Sequence, residues 1–208
     1  MNRLKRGFVI MFDGPDGVGK STQLELAADA LKRQGYKVEC LHVLGGTDIN
    51  EALRRVLFSN YPRPAETDAY IALAMHYSLA ERLKKLVSEG VIVLVDRSAL
   101  SMVAYQVFGG GFDQKLGYQL ADKAIKIDKA NLIIVYQAPE AVLTSRRAAQ
   151  AKAKDYFERQ NQAFHQRTIE GYKAAAQHYG ATVIDGATDI TTVHKLTMEA
   201  IHRSLTAA

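Results

Sequence analysis

The chain has 208 residues and a mass of 23.0 kDa, too short for two ordinary domains and long enough to bury a full core, so we expect one domain over residues 1–208. Hydrophobic residues make up 48% and charged residues 24%, which excludes collagen, coiled coils and disordered chains. The net charge of +5 fits an anionic small substrate, and because no run of five like charges occurs, we expect no nucleic-acid partner.

Short β-rich runs alternate with longer helical patterns along the chain. The β-rich runs are apolar, as in strands covered on both faces, and predict strands at 8–12, 37–42, 91–95, 131–136 and 182–184. Helical spacing predicts helices at 20–34, 49–58, 67–88, 113–129, 140–154, 155–179 and 191–205. The alternation predicts an α/β fold, a five-stranded parallel sheet with helices on both faces.

The apolar stretches and the cysteine content restrict the setting of the protein. The longest stretches, 91–95 and 132–136, fall far short of the roughly 20 residues that cross a bilayer. We therefore expect no membrane partner. Cys40 is the single cysteine and cannot form an internal disulfide, which favours a cytoplasmic location.

A phosphate-binding signature lies between the first predicted strand and the first predicted helix. Residues 14–21 read G-P-D-G-V-G-K-S and match G-x-x-x-x-G-K-[ST]. Glycines let backbone N–H groups point at phosphate oxygens, and Lys20 reaches the β and γ phosphates while the hydroxyl of Ser21 binds Mg²⁺. The residues predicted to bind ATP are Gly14, Asp16, Gly17, Val18, Gly19, Lys20, Ser21 and Thr22.

Asp96 and Arg97 follow the third predicted strand, at the sheet edge where α/β proteins bind ligands. Asp96 can hold a water of the Mg²⁺ ion, and Arg97 can bind a second phosphate; the alternative is a surface ion pair. A GTPase would need an N-K-x-D box after a later strand, and this chain has none. A small kinase of the nucleotide type remains.

These residues resemble the thymidylate kinase family over nearly the whole chain. F-D-G-P-D-G-V-G-K-S-T-Q at 12–23 is similar to the family's opening, and G-G-T at 45–47 is followed by an L-R pair at 53–54. D-R at 96–97 with the later S and A-Y-Q, and D-Y-F-E at 155–158, resemble two further family blocks. The resemblance implies a P-loop NTPase three-layer sandwich with a helical lid at about 140–158. It also implies Mg²⁺- and ATP-dependent conversion of dTMP to dTDP.

The resemblance also implies roles for individual residues. Asp16 would lie between donor and acceptor phosphates, and Arg54 and Arg97 would hold the monophosphate. Tyr105 would crowd the sugar, and Gln106 would bind the pyrimidine. The implied catalytic residues are Asp16, Lys20, Arg97, Arg146 and Arg147, the last two being candidates for a lid arginine or else members of a solvated helix face. The implied substrate-binding residues are Asp16, Arg54, His76, Arg97, Ser101, Tyr105 and Gln106, and the implied metal-binding residues are Ser21 and Asp96.

Several positions on the acceptor side depart from the family pattern. Ser98 replaces the aromatic after D-R, and residues 42–44 read H-V-L in place of R-E-P. The family's thymine-contacting Phe and Arg fall at 71 or 72 and at 75 or 76. His76 either stands in for that arginine or is an ordinary helix histidine. The acceptor is therefore dTMP, another deoxynucleotide or a nucleoside, or the protein binds nucleotides without catalysis.

Two further expectations concern partners and the donor base. The family implies a homodimer, and Ile71, Leu73, Leu79 and Leu83 give the helix before the third strand apolar surface on more than one side. Adenine is expected near residues 185–188, after the last strand.

Overall fold

The computed structural model describes residues 4–149 and 155–207. It confirms the five parallel strands, arranged in the order β2-β3-β1-β4-β5. The strands are β1 (Phe8–Asp13), β2 (Val38–His42), β3 (Ile92–Asp96), β4 (Leu132–Gln137) and β5 (Thr182–Asp185). The helices are α1 (Lys20–Arg33), α2 (Asp48–Leu57), α3 (Ala65–Ser88), α4 (Ala99–Met102), α5 (Gln114–Asp128), α6 (Glu140–Ala148), α7 (Gln162–His178) and α8 (Ile190–Thr206). A π-helical segment (Val103–Gly109) continues α4.

Side chains of β1 alternate between the two faces of the sheet, as the period of a strand requires. Phe8, Ile10 and Phe12 pack with apolar residues of α1 and α8 on one face. Val9 and Met11 pack with residues of α3, α5 and α7 on the other. The expected three-layer α/β sandwich is therefore confirmed.

The sheet register brings two segments of the site together. β1 and β3 are neighbours, and Phe12 pairs with Asp96. The loop after β1 and the residues after β3 consequently leave the same edge of the sheet. Within the two described ranges, no helix combines the length and the apolar character that crossing a membrane requires.

The helix formed by α4 and the π-helical segment was not predicted from the sequence. Nine of its residues are almost completely buried, including Leu100, Met102 and Ala104, so the segment lacks the polar face that produces a helical period. The side chain of Ser98 caps its start by accepting a hydrogen bond from the backbone N–H of Leu100 at 3.1 Å. This helix carries several side chains of the site.

Two other helix predictions were wrong in their bounds. The helix predicted at 155–179 begins only at Gln162, because Asn161 caps it by accepting from the N–H of Phe164. Before it, Asp155 and Glu158 exchange side chain-to-backbone hydrogen bonds in a turn. The helix predicted at 140–154 ends at Ala148, and residues 150–154 of the predicted lid lie outside the described part of the chain.

Candidate active site

The loop between β1 and α1 has a backbone that only glycine adopts readily. Gly14, Gly17 and Gly19 have φ angles of 136°, 86° and 98°, in the region that favours glycine. A Cβ on Gly14 would lie 2.4 Å from the backbone oxygen of Tyr136. Lys20 begins α1, so the helix N-terminus and the loop amides form an anion-binding end.

A pocket opens in front of this loop. It is lined by every residue from Asp16 to Gln23, together with side chains from α6 and from the start of α8. Gly186 and Thr188 line it after β5, within the region 185–188 expected for adenine. We refer to it as the donor pocket.

The two predicted lid arginines both lie against the phosphate loop. Arg146 donates from Nη1 to the backbone oxygens of Gly186 at 2.7 Å and Val18 at 3.3 Å, and it lines the donor pocket. A Cβ on Gly17 would lie 3.2 Å from Cγ of Arg147 and 3.1 Å from the backbone oxygen of Leu143. The described first part of the predicted lid is thus packed directly on the loop.

Ser21 and Asp96 form a polar pair beside the donor pocket. The hydroxyl of Ser21 donates to Oδ2 of Asp96 at 3.0 Å. Burial alone would raise the pKa of Asp96, but its contact with His42 and the charges of Lys20 and Arg97 outweigh that and lower the pKa to about 2. Oδ1 of Asp96 is buried and has no hydrogen-bond partner among the described residues. An ionised carboxylate with an unused oxygen suits a hard cation or its water.

The described residues contain no cluster of three or more His, Cys, Asp or Glu side chains that could hold a metal ion by themselves. A divalent ion at this pair would therefore depend on nucleotide phosphates and water for its remaining ligands, as Mg²⁺ in phosphate-loop proteins does.

Arg97 is held in a left-handed backbone conformation, with a φ angle of 78°. Such a conformation costs of order 1–3 kcal/mol outside glycine and persists only where its surroundings enforce it. Here the N–H of Arg97 donates to the backbone oxygen of Phe12 at 2.8 Å. Its guanidinium donates to Asp16 at 2.5 Å and to the hydroxyl of Tyr172 at 3.1 Å. The left-handed backbone conformation of Arg97 therefore directs its guanidinium back across the phosphate loop.

Asp16 receives hydrogen bonds from both sides of the site. Lys20 approaches its Oδ1 at 3.3 Å, on the same oxygen as Arg97, and the hydroxyl of Tyr105 donates to its Oδ2 at 2.6 Å. Burial opposes the ionisation of Asp16, but the charges of Arg97 and Lys20 outweigh it and hold the pKa of this carboxyl well below its usual range. Burial and the Asp16 carboxylate raise the pKa of Tyr105, which keeps the phenol a donor.

A second pocket lies on the other side of Asp16, and we refer to it as the acceptor pocket. Its walls are largely apolar and aromatic, with Tyr105 and Phe157 in edge contact at 5.4 Å between ring centroids. The predicted acceptor-side residues that line it are Asp16, His76, Arg97, Ser101, Tyr105 and Gln106. The structure thus brings six of the seven predicted substrate-binding residues together.

The seventh, Arg54, lies exposed on α2 at the rim of the acceptor pocket. Its guanidinium lies 4.8 Å from the centroid of the Phe58 ring and donates to the backbone oxygen of Leu44 at 3.4 Å. Both Leu44 and Phe58 line the pocket. Arg54 is therefore close to the entrance without lining the pocket itself.

The structure resolves the one-residue ambiguity on α3. Ala72 and His76 line the acceptor pocket, whereas Met75 is fully buried in the core. Leu79 and Leu83, expected to add to an apolar surface, are also buried in that core. The exposed large apolar side chains of α2 and α3 are instead Ile49, Val56, Tyr70 and Tyr77.

Asp13, the last residue of β1, is a component of the site that was not identified from the sequence. It is fully buried, and its Oδ1 accepts from the N–H of Gly14 and from the hydroxyls of Ser101 and Tyr172. Its Oδ2 accepts from the N–H and the hydroxyl of Ser98 and from the N–H of Ser101. Asp13 thereby fixes the phosphate loop to the backbone that follows Arg97. Its position at the carboxyl end of a strand, directly before the loop, was the available signal.

Comparison with known proteins identifies relatives over nearly the whole chain. The sequence model of one family, described as Thymidylate kinase, matches residues 12–197. A thymidylate kinase of Geobacter sulfurreducens is 33% identical over 190 residues, covering 86% of this chain and 89% of that protein. One of Caldanaerobacter subterraneus subsp. tengcongensis is 30% identical, covering 98% and 99%. The solved thymidylate kinase of Ehrlichia chaffeensis superposes with a TM-score of 0.75 at 25% identity, covering 95% of this chain and 99% of that one.

Proposed function

This chain belongs to the thymidylate kinase family, and on that premise we propose that its site transfers the γ-phosphoryl group of ATP to dTMP, giving dTDP and ADP. The observation that supports this most directly is the position of Asp16, which lines both pockets. A phosphate held by Lys20 on one side and a phosphate held by Arg97 on the other would meet at this carboxylate. Phosphoryl transfer requires that arrangement of donor and acceptor.

On the donor side, the loop amides and Lys20 bind the β and γ phosphates. The residues present fit Mg²⁺, because Ser21 offers a hydroxyl and Asp96 an ionised carboxylate with a free oxygen. When bound, the ion neutralises charge on the two terminal phosphates. Arg146 and Arg147 pack against the loop, and one of them stabilises the transferred phosphoryl group in the transition state.

On the acceptor side, Arg97 binds the phosphate of dTMP, with Arg54 closing from the rim. The attacking phosphate oxygen is already ionised, so the site has to position it rather than deprotonate it. Asp16 stays ionised and keeps both Lys20 and Arg97 directed at the point where the phosphates meet. The aromatic wall formed by Tyr105 and Phe157 excludes water from that point.

The protein acts as one P-loop kinase domain over residues 1–208 and as a homodimer in the cytoplasm. The dimer proposal is supported by Ile49, Val56, Tyr70 and Tyr77, which leave 45% to 62% of their surface exposed on α2 and α3. Light scattering on the purified chain should give twice the mass of 23.0 kDa. A monomer at micromolar concentration would contradict the dimer without affecting the catalytic proposal.

The catalytic proposal is tested by ADP release from ATP and Mg²⁺ with dTMP, dUMP, dCMP, dAMP, dGMP, UMP and thymidine as acceptors. We expect the highest kcat/KM with dTMP. Lys20→Ala should lower kcat on the order of 100-fold or more, while the control Lys32→Ala, an exposed lysine on the same helix, should not change it. Equal turnover of all acceptors, or ATP binding without turnover, would contradict the proposal.

A further inference from the structure

A cleft that the proposed function does not use lies at the amino ends of the strands. Phe8, the first residue of β1, and Asn131, directly before β4, both line it. The phosphate loop follows the other end of β1, about 16 Å away at the rise of a strand. The cleft has a volume of about 870 Å³, enough for a ligand of nucleotide size. Among the described residues, it shares no lining side chain with the donor or the acceptor pocket. We refer to it as the rear cleft.

Backbone hydrogen bonds fix the walls of the rear cleft. The N–H of Gly7 donates to the backbone oxygen of Val87 at 2.7 Å, which holds the segment before β1 against the end of α3. The N–H of Asn131 donates to the backbone oxygen of Val9 at 2.9 Å, and its Oδ1 accepts from the N–H of Val9 at 2.8 Å. The rear cleft is therefore formed by the fold itself and does not depend on the placement of a few surface side chains.

Four exposed cationic side chains line the rear cleft, and none of them has a hydrogen bond or an ion pair with a described residue. They are Lys5, Arg6, Lys84 and Lys129. The acidic residues of the described lining are Glu81 and Asp128, so cations outnumber them two to one. Cationic groups that lack partners around a cleft attract anions.

Lysines near the end of a helix can also serve the helix itself, by satisfying its last backbone oxygens. The backbone oxygens of Leu86 and Val87, at the end of α3, already accept from N–H groups of residues that follow the helix. The backbone oxygen of Ile125, in α5, accepts from the N–H of Lys129. Because these helix ends have partners, the cationic side chains are free to bind a ligand.

A buried carboxylate also lines the rear cleft. Asp128, the last residue of α5, is 2% exposed. Nδ1 of His76 lies 3.0 Å from its Oδ1 and 2.8 Å from its Oδ2, but one N–H group serves one of these oxygens well. Oδ2 accepts no well-directed hydrogen bond from a described residue. Since a buried acceptor without a donor is costly, Asp128 offers the cleft a place for an N–H or O–H group of a ligand.

We propose that the rear cleft binds a nucleoside triphosphate, as a site separate from the two catalytic pockets. The cationic side chains bind the phosphate chain, and Oδ2 of Asp128 accepts from an N–H or O–H group of the base or sugar. The ring packs against the apolar part of the lining, which consists of Leu4, Phe8, Leu83, Val87, Ile127 and Leu205. Inorganic phosphate would use the cations alone, would leave the apolar wall uncovered and would be repelled by Asp128. A nucleotide satisfies all three parts of the cleft.

The test is isothermal titration calorimetry with GTP, on protein saturated with a compound in which adenosine and thymidine are joined by a chain of five phosphates. Under the proposed function that compound fills both catalytic pockets, so added GTP has to bind elsewhere. We expect one GTP per chain, bound on the order of tenfold or more tightly than tripolyphosphate, which has neither base nor sugar. No binding of GTP, or equal binding of tripolyphosphate, would overturn the proposal.

The chain offers matched lysines for a control. Lys84→Glu and Lys129→Glu, in the cleft lining, should each weaken GTP binding on the order of tenfold. Lys85→Glu and Lys126→Glu change exposed lysines on α3 and α5 that do not line the cleft, and they should leave the affinity nearly unchanged. Equal losses in both pairs would show attraction to the basic protein as a whole and would overturn the site.

Acetylation of lysines, followed by mass spectrometry, locates the bound GTP. GTP should slow the acetylation of Lys5, Lys84 and Lys129 but not that of Lys85 and Lys126. If the pentaphosphate compound itself does not bind, the proposed function is refuted, and the acetylation pattern measured without the compound still decides the rear cleft. Unprotected cleft lysines at saturating GTP would overturn the proposal in either case.

Discussion

Replacing Asp13 by asparagine tests whether one buried carboxylate joins the two halves of the site. Asp13 accepts six hydrogen bonds, three on each oxygen. Asparagine has the same shape, but it offers one accepting oxygen and one donating NH₂ group. The substitution therefore turns one set of three acceptor contacts into donor contacts without creating a cavity.

The partners decide which orientation the introduced amide takes. On the Oδ1 side, the hydroxyls of Ser101 and Tyr172 can turn and accept from the new NH₂ group, so only the N–H of Gly14 loses its acceptor. On the Oδ2 side, the N–H groups of Ser98 and Ser101 would both face the NH₂ group. The first orientation is favoured. It leaves one buried N–H without an acceptor, which costs about 1–3 kcal/mol, and it weakens the remaining hydrogen bonds because the charge is lost. Together these effects should lower the free energy of unfolding by about 3 kcal/mol.

The assay is urea unfolding of Asp13→Asn followed by circular dichroism, together with the KM for dTMP and for ATP. We expect the free energy of unfolding to fall by about 3 kcal/mol. The KM for dTMP should rise more than the KM for ATP, because the backbone that Asp13 fixes directly follows Arg97. Ser98→Ala, which removes one of the six donors and the cap of α4, should cost about 1–2 kcal/mol. Neutral substitutions change the free energy of unfolding by less than about 0.5 kcal/mol. A change within that range for Asp13→Asn, together with unaltered KM values, would refute this reasoning.

Three further predictions follow from the loop and its neighbours. Gly17→Ala should lower the affinity for ATP and reduce the stability by about 1–3 kcal/mol. The reason is that Gly17 has a φ angle of 86° and the new Cβ would lie 3.1 Å from the Leu143 backbone oxygen. Calorimetry with ATP measures the first effect, and thermal unfolding measures the second. Asp16 has a lowered pKa, so its ion pairs stabilise the fold fully above about pH 4 and are lost as the pH falls through the lowered value. The stability difference between the unmodified chain and Asp16→Asn should therefore be largest near pH 7 and shrink below about pH 4, measured by urea unfolding; a constant difference contradicts it. Chelation with EDTA should abolish ADP release. Ser21→Ala should raise the Mg²⁺ concentration needed for half the maximal rate on the order of tenfold, and an unchanged Mg²⁺ dependence would exclude the Ser21 hydroxyl as a metal ligand.

The donor side could be predicted from the sequence because its chemistry is contiguous in the chain. A phosphate-binding loop acts through backbone N–H groups and adjacent side chains, so the spacing of residues 14–22 encodes the geometry of the loop directly. Asp96 and Arg97 were identifiable because parallel strands end at a common edge. The strand bounds agree with the structure to within one residue.

The acceptor side was less accessible to prediction because its members come from distant segments. His76 lies on α3 and Phe157 lies before α7, and no local pattern links them although both line the acceptor pocket. The register of α3 depended on packing, which places His76 at the pocket and Met75 in the core. The start of α7 depended on the side chain of Asn161, which competed with a continuous helical pattern through residues 155–161.

The π-helical segment at Val103–Gly109 makes the length of this stretch as important as its composition. A π-helix holds an extra residue in its turn compared with an α-helix, and such segments persist where function requires them. Deleting one residue would allow regular α-helix to form, but the side chains within the segment would take up different positions around the helix axis. Tyr105 would then turn away from Asp16, or Gln106 away from the pocket. Variation in this stretch can therefore proceed by substitution more readily than by insertion or deletion, even where the shorter chain would fold more stably.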